Sequence, residues 1–457
     1  MLHSSTQTDR GVGAVGWALA AWLVVSACPV EAFMAGADIS GLPVFEDAGI
    51  TYTHNGVAGD AIEILAAHGV GWQRLRLFVD PTNSSDDFVV NDLSYTIDLA
   101  KRVKAAGGKV LLDLHYSDTW ADPGKQNKPQ AWESLSQSQL TARVHDYTRD
   151  VLAAFKTEGV APEMVQVGNE VSNGMLWDDG YLWGPGSNEP RLDRFAELLT
   201  AGINGAKEGA GPDDEPLIMV HHDRADLWAR TSYFFDELIE RNVDFDVIGY
   251  SYYPKWHYDP STGAGGLDDV AENLNNSALA YGKPVVIAET GFASRGAQWE
   301  PTYEFPVTEE GQRQFLEALV DTVQAVPNGL GGGVFWWFAE AVPAWPLRVW
   351  EGGRYGLFDE KADLLSAASV FEEFLIPTLP GDFNSDGVVD AADYTVWRDG
   401  LGDTYELGDY GTWADHYGQT IAAPQSAIPG SAVPEPPAVA LVLLALAGYA
   451  GRLRTAS

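Results

Sequence analysis

The chain has 457 residues, long enough for a large core, and sets 28 Lys and Arg against 65 Asp and Glu for a net charge of −37. Such an acidic surface repels phosphate backbones and anionic headgroups, which excludes nucleic-acid binding. A hydrophobic content of 46% with 16 Trp excludes a disordered chain, and the lone Cys28 excludes a disulfide framework and a thiolate metal site.

In chain order, Arg10 precedes the apolar run Gly11–Ala27, and Val30-Glu31-Ala32 places small residues at the two positions a signal peptidase reads. Residues 1–32 are thus predicted to be a signal peptide for Sec export, cleaved after Ala32. Val25-Ser26-Ala27-Cys28 is a second reading, a lipobox that would leave an acylated Cys28 at the mature N-terminus. Eight short, apolar, β-branched-rich stretches follow: Met34–Ser40, Trp72–Asp80, Lys109–Asp118, Met164–Glu170, Leu217–Asp223, Phe245–Pro254, Pro284–Gly291 and Gly332–Glu340. Helical patterns at Ala61–His68, Leu93–Ala106, Gln139–Lys156, Leu192–Glu208, Thr231–Arg241, Leu267–Tyr281 and Thr308–Val326 separate them, and Ser366–Leu375 comes last. This alternation predicts an α/β chain whose residues 33–376 close into a (β/α)8 barrel. A doubly wound open sheet would want a Gly-rich phosphate loop after the first strand, and Gly36–Gly41 is not one.

A barrel of this kind places its site at the C-terminal ends of the strands, where the predicted strands carry Arg76, Asp113, His115, Asn169, Glu170, His222, Tyr252 or Tyr253, Glu289 and Trp337. A Glu at the end of each of two strands suits glycoside hydrolysis, in which one carboxyl donates a proton and the other, ionised, attacks the sugar carbon. Arg76 would hold the ionised partner's pKa down, while like charge and partial desolvation keep the donor neutral. Each of these side chains also has a plainer reading. Arg76 with Asp113 would be an ion pair of the barrel lining, His115 and His222 core histidines, and Asp118 and Asp122 turn caps beside Pro123-Gly124.

Gly36-Ala37-Asp38-Ile39-Ser40, Arg74-Leu75-Arg76, the run HYSDTWADPGKQ from His115 to Gln126, Gly168-Asn169-Glu170, Asn173–Trp177, Ser251–Pro254 and Glu289-Thr290-Gly291 occur in order. Over residues 34–376 the chain resembles glycoside hydrolase family 53, the arabinogalactan endo-β-1,4-galactanases. The His115–Gln126 run is the most specific part, whereas Asn-Glu alone marks only a clan of retaining barrel glycosidases. The resemblance implies Glu170 as acid/base, Glu289 as nucleophile, β-1,4-galactan or arabinogalactan as substrate and no cofactor for catalysis. It further implies that Asn169 bonds the sugar 2-hydroxyl, that Arg76 and one of Tyr252 and Tyr253 hold Glu289, and that Trp337 is the floor of the reacting subsite. Trp120, Trp177 and Trp183 are candidates for further subsites. Two departures stand out: Trp337 is followed by Phe338-Ala339-Glu340-Ala341 where the family continues Glu-Pro, and residues 292–306 lack the Asp/Asn/His cluster of a bacterial calcium loop.

After a linker at 377–380, Asp382, Asn384, Asp386, Val388, Asp390 and Asp393 fall at positions 1, 3, 5, 7, 9 and 12 of an EF-hand-like loop with Gly387 at position 6, which predicts a structural calcium ion. Asp393-Tyr394-x-x-Trp397-x-Asp399 recurs sixteen residues later as Asp409-Tyr410-x-x-Trp413-x-Asp415 without a second such loop. Residues 381–420 resemble a small α-helical dockerin type I-like module, which implies a cohesin-like partner or a spacer role. After a linker at 421–432, Val433-Pro434-Glu435-Pro436, the uncharged Ala438–Ala450 and then Arg452 and Arg454 resemble a PEP-CTERM sorting tail over 433–457, which implies an exosortase-type processing enzyme and a secreted or surface location. Three functions are in play: a secreted endo-galactanase, a clan relative acting on another β-glycan, and an inactive glycan-binding surface protein.

Overall fold

A computed structural model describes residues 33–296, 303–375, 379–384, 387–401, 405 and 407–420. The predicted leader with Cys28, residues 377 and 378, Asp386 of the predicted calcium loop, the linker 421–432 and the sorting tail lie outside the described residues. The chain divides into two units, one ending at Leu375 and one beginning at Ile376.

In the first unit eight parallel strands close into a barrel: β1 (Met34–Asp38), β2 (Trp72–Leu77), β3 (Lys109–Leu114), β4 (Met164–Val167), β5 (Leu217–His222), β6 (Val247–Tyr252), β7 (Val285–Thr290) and β8 (Gly331–Trp336). The ring shuts where Met34 of β1 lies opposite Gly333 of β8, so the (β/α)8 expectation holds. Outside the strands run α1 (Ala61–Ala67), α2 (Leu93–Ala105), α3 (Gln137–Thr157), α4 (Glu189–Ala210), α5 (Trp228–Glu240), α6 (Leu267–Tyr281) and α7 (Glu309–Gln324). The last predicted helix is a 3-10 helix, Ser366–Phe374. Starts are set by local chemistry: Asp92 accepts from the Tyr95 amide and Thr308 from the Gly311 amide, satisfying donors that the first turn leaves free.

The strand period of two sorts the barrel interior into floor and mouth. Met34, Trp72, Leu111, Met164, Met219, Val247, Val286, Ala288 and Phe335 form a buried apolar plug at the floor. Gly36 makes room for it, since a Cβ there would stand 2.3 Å from the Phe335 ring. Two residues further along, the same inward face turns polar, with Asp38, Arg74, Asp113, Gln166 and His221 all buried. One irregularity decides the chemistry. Ala288 belongs to the plug, so strict alternation would turn Glu289 outward, but the β6–β7 ladder slips between Tyr250 and Ser251 and sets Ser251 opposite Glu289.

Beyond β8 the departure at Phe338–Ala341 has a structural role. Phe338 takes a positive φ of 58° and packs on Phe45 and Phe88. Glu340 is fully buried; its Oε1 accepts from the Gly41 amide at 2.7 Å, and Oε2 has no partner among the described residues. Burial, reinforced by the charge of Asp38, pushes this carboxyl up to about 8.

In the second unit α8 (Ala391–Asp399) and α9 (Asp409–His416) carry the duplicated aromatics, which pair across the repeat: Tyr394 with Trp413 and Trp397 with Tyr410, ring centres 5.3 Å apart in both. The Val389 amide donates to the Gln419 carbonyl and the Gly418 amide to the Val389 carbonyl, tying the first repeat's loop to the second's end.

Because folding raises the Glu340 pKa from 4.5 to about 8, the stability due to its proton is full below the unfolded value and lost as pH rises through about 8. Glu340→Gln removes this dependence. By calorimetry, the Tm of the variant minus that of the wild type is expected to grow between about pH 5 and pH 8. A constant difference would show that Glu340 is ionised throughout.

Candidate active site

The polar mouth is organised by Arg74, only 1% exposed. Its Nη1 donates to Asp38 Oδ2 at 3.0 Å, its Nη2 reaches Asp113 Oδ2, Asn169 Oδ1 and Glu289 Oε1, each at 2.8 Å, and its Nε donates to Gln166 Oε1 at 3.2 Å. Burial alone would ease the proton off this guanidinium, but Asp113, Glu289 and Asp38 outweigh it and hold the charge. Asp113 is correspondingly kept low: its burial is opposed by Arg74 and by His115, whose Nε2 donates to Asp113 Oδ2 at 2.9 Å. His115 Nδ1 accepts from the Ala121 amide, which fixes the tautomer.

The two Glu side chains stand in unequal settings. Glu289 is 7% exposed, bonded to Arg74 through Oε1 and to the Tyr253 hydroxyl, which donates to Oε2 at 3.1 Å. Burial raises its pKa, and Arg74 with Tyr253 opposes the rise. Glu170 lies one residue beyond Asn169 at the end of β4, in the left-handed region at φ 46°, after Gly168 at φ 85°. No cation meets it. Burial and then the Glu289 charge push it well above the carboxylate range. Ser251 Oγ stands 2.7 Å from Glu170 Oε1, and Gln126 Nε2 donates to the Asn169 carbonyl at 2.7 Å, holding the strand end.

Both carboxyls line one cleft of about 590 Å³ together with His115, Asn169, Tyr253 and the aromatic walls Trp120, Trp256, Trp337 and Trp350. The Trp337 ring stands 6.3 Å from Trp120 and 5.0 Å from Trp350. Trp120 donates from Nε1 to Asp86 Oδ2 and roofs Arg76, whose guanidinium carbon lies 4.4 Å from the ring centre.

Several expectations need correction. Arg76 does not hold Glu289; it points to Asp38 Oδ1 at 3.5 Å and Asn91 Oδ1 at 3.3 Å, and Arg74, one inward rung lower on β2, takes the role. Of the two tyrosines Tyr253 faces Glu289, while the Tyr252 hydroxyl donates to the Gly265 carbonyl. His222 points out of the barrel among Phe234, Phe235 and Tyr250, with its pKa pushed down to about 4 by burial, and His221 is the inward residue. Asn169 keeps its place in the cleft wall, held by its Oδ1, which accepts from Arg74, Gln166 and His221, and by one hydrogen of its Nδ2, which goes to the Ala121 carbonyl. Trp177 and Trp183 bond Asn173 and do not line the cleft. Asp118 accepts from the Asp80 and Gln130 amides, the capping role of the plainer reading, and Asp122 caps Gly124 while lining the cleft.

In the second unit, the loop donors Asp382, Asn384, Asp390 and Asp393 with the Val388 carbonyl are all oxygen, which suits a hard cation in kind. The Gly387 amide donates to Asp382 Oδ2 at 2.8 Å with φ 82° at Gly387, a closed turn. Asp393 is fully buried, accepts from the Phe383 and Asn384 amides on Oδ1 and from the Asp390 amide on Oδ2, and so already braces the loop. Among the described residues no three His, Cys, Asp or Glu side chains converge on one point, and Asp386 lies outside them.

The profile of Glycosyl hydrolase family 53 matches residues 34–371. The chain is 39% identical over 323 residues to a probable arabinogalactan endo-β-1,4-galactanase A of Aspergillus terreus, covering 68% of this chain and 85% of that one. It is 36% identical over 371 residues to the arabinogalactan endo-β-1,4-galactanase A of Aspergillus niger, covering 77% and 99%. Among solved structures, the Ignisphaera aggregans GH53 catalytic domain superposes with a TM-score of 0.66 at 30% identity over 77% of this chain and 98% of that one. A fungal β-1,4-galactanase superposes with a TM-score of 0.64 at 30% identity, over 75% and 99%.

Removing Arg74 strands three buried carboxylates. Arg74→Met is expected to cost about 3–5 kcal/mol in urea unfolding, with part of the loss recovered at acid pH as the carboxylates take up protons. Arg76→Met, which loses one longer carboxylate contact, the Asn91 bond and the Trp120 stack, is expected to cost clearly less. Equal losses would contradict the central place of Arg74.

Proposed function

The chain belongs to glycosyl hydrolase family 53 and is a glycosidase of the arabinogalactan endo-β-1,4-galactanase type; we propose that it cleaves internal β-1,4-galactosidic bonds of galactan or arabinogalactan outside the cell, by double displacement. Glu289 attacks the anomeric carbon while Glu170 gives its proton to the departing oxygen, forming a galactosyl ester on Glu289. A water then attacks that carbon as Glu170 takes its proton, and the β configuration is restored. The observation that carries the assignment is the contrast between two carboxyls in one cleft: Arg74 and Tyr253 hold Glu289, whereas Glu170 has no cation and is kept neutral by burial and by the Glu289 charge. Retention asks for a carboxyl separation of about 5–5.5 Å. Trp120 and Trp337 offer indole faces to the apolar side of a galactose ring. A neutral glycan needs no charge complement, so the net −37 serves solubility outside the cell.

On a panel of β-1,4-galactan, arabinogalactan, mannan and β-glucan, the wild type is expected to release oligosaccharides from the galactans, and Glu170→Ala or Glu289→Ala to lose on the order of 10³-fold or more in kcat. Proton NMR of fresh product should show the β anomer first. Turnover of another glycan alone supports the clan-relative reading, binding without turnover the inactive one, and α product first sinks double displacement.

The same proposal covers the flanking parts. Asp382, Asn384, Asp386, the Val388 carbonyl, Asp390 and Asp393 would hold one calcium ion that braces the small unit. The unit would dock a cohesin-like protein or space the enzyme, and an exosortase-type enzyme would process the tail. At calcium about 100-fold above Kd the small unit is expected to gain about 2.7 kcal/mol in stability, which chelator removes and Asp382→Ala abolishes. Unfolding that ignores both calcium and chelator would overturn the ion.

A further inference from the structure

Behind Glu170 a single hydroxyl proton lies between two acceptors. Ser251 Oγ stands 2.7 Å from Glu170 Oε1 and 2.9 Å from His221 Nε2. Which acceptor receives the proton follows from the network on the far side of His221. A guanidinium only donates, so Arg74 fixes Gln166 Oε1 and Asn169 Oδ1 as acceptors. Gln166 Nε2 in turn donates to Asp113 Oδ1 and Asn169 Oδ1, and Asn169 Nδ2 to the Ala121 carbonyl, so neither amide can turn over. His221 Nδ1, 3.1 Å from Asn169 Oδ1, must therefore carry a hydrogen. Burial, and next the charge of Arg74, keep His221 neutral, and a neutral imidazole protonated at Nδ1 presents a bare lone pair at Nε2.

We propose that His221 and Ser251 are positioning residues: His221 Nε2 takes the Ser251 hydroxyl proton, and Ser251 Oγ is left with a lone pair that Glu170 can meet only as a carboxylic acid. This rests on Glu170 being the acid/base. When Glu170 is ionised, one proton faces two acceptors in a buried place, and either the carboxylate or Nε2 goes unmet. That cost falls on the ionised state alone, so the chain of bonds running from Arg74 through Asn169 to His221 keeps the donor loaded. As Glu170 gives its proton to the leaving oxygen, the Ser251 hydroxyl turns to the new carboxylate and Nε2 is bared. The proton Glu170 takes from the attacking water lets the hydroxyl turn back. The network and the Glu170 proton are thus coupled in both half-reactions.

Glu170 is also faced by Glu289, Asp223 and Asp122, and His221 by Arg74, Asp113, His222 and His115. His221→Phe removes the rival acceptor while leaving these in place, so Ser251 donates to ionised Glu170. The alkaline limb of kcat/KM on galactan is expected to move down by about one pH unit. Adding Ser251→Ala should bring the limb back up. A limb that stays or rises in His221→Phe overturns the proposal. The wild type offers a second readout by nitrogen-15 NMR of labelled histidines. His115, His222 and His257 accept backbone amides at Nδ1 and carry hydrogen on Nε2, whereas His68 and His416 face oxygen acceptors at Nδ1, so the signal assigned to His221 by its loss in His221→Phe should be that of a non-titrating Nδ1–H tautomer. Finding no such tautomer also overturns it. If Glu170→Gln leaves the alkaline limb unchanged on an aryl galactoside with a good leaving group, the acid/base reading itself fails, whatever His221→Phe does.

Discussion

At the mouth of the barrel one guanidinium, that of Arg74, meets the carboxylates of Asp38, Asp113 and Glu289 in a place nearly closed to solvent. Four charges without water are tolerable only when every lone pair and every N–H has a partner, and the surrounding sequence is built to that demand. Gln166 and His115 serve Asp113, Asn169 and Gln166 serve Arg74, and Tyr253 serves Glu289. The apolar plug beneath supplies the low dielectric that makes these bonds strong and their loss costly.

The same cluster separates two chemically identical side chains. Glu289 enters it and has a counter-charge; Glu170 sits at its edge, where burial and the charge of Glu289 both favour its neutral form. Geometry makes the difference: a slip in the β6–β7 ladder turns Glu289 inward, and a left-handed residue after Gly168 carries Glu170 past the strand end. Backbone irregularity at both carboxyls is the local cost of aiming them into one cleft.

The barrel was legible because apolar runs and helical patterns alternate eight times, and parallel strands buried on both faces read as continuous hydrophobic stretches. The site was legible only to the level of the strand end. Arg74 and Arg76 share a face, so parity cannot choose between them; height along the strand does. For His221 and His222 parity was available: Met219 belongs to the plug, hence His221 points in. Tyr253 follows from the same counting once Ser251 is placed, but the slip at Ala288 that puts Ser251 opposite Glu289 carries no sequence mark. Trp256 and Trp350 reach the cleft from loops distant in sequence, and Trp183, a candidate for a further subsite, packs beside Tyr233 with its Nε1 on Asn173. Loop trajectories, unlike strand faces, have no period to read.

The proposed division of labour has a carboxylate oxygen of Glu289 bond to the sugar. Incubation with a 2-fluoro β-galactoside bearing a good leaving group slows breakdown of such an ester, and mass spectrometry of the digested protein then locates it. One fluoroglycosyl group is expected on the peptide containing Glu289, formed as activity is lost. A label on Glu170, or steady turnover with no labelled peptide, would contradict it.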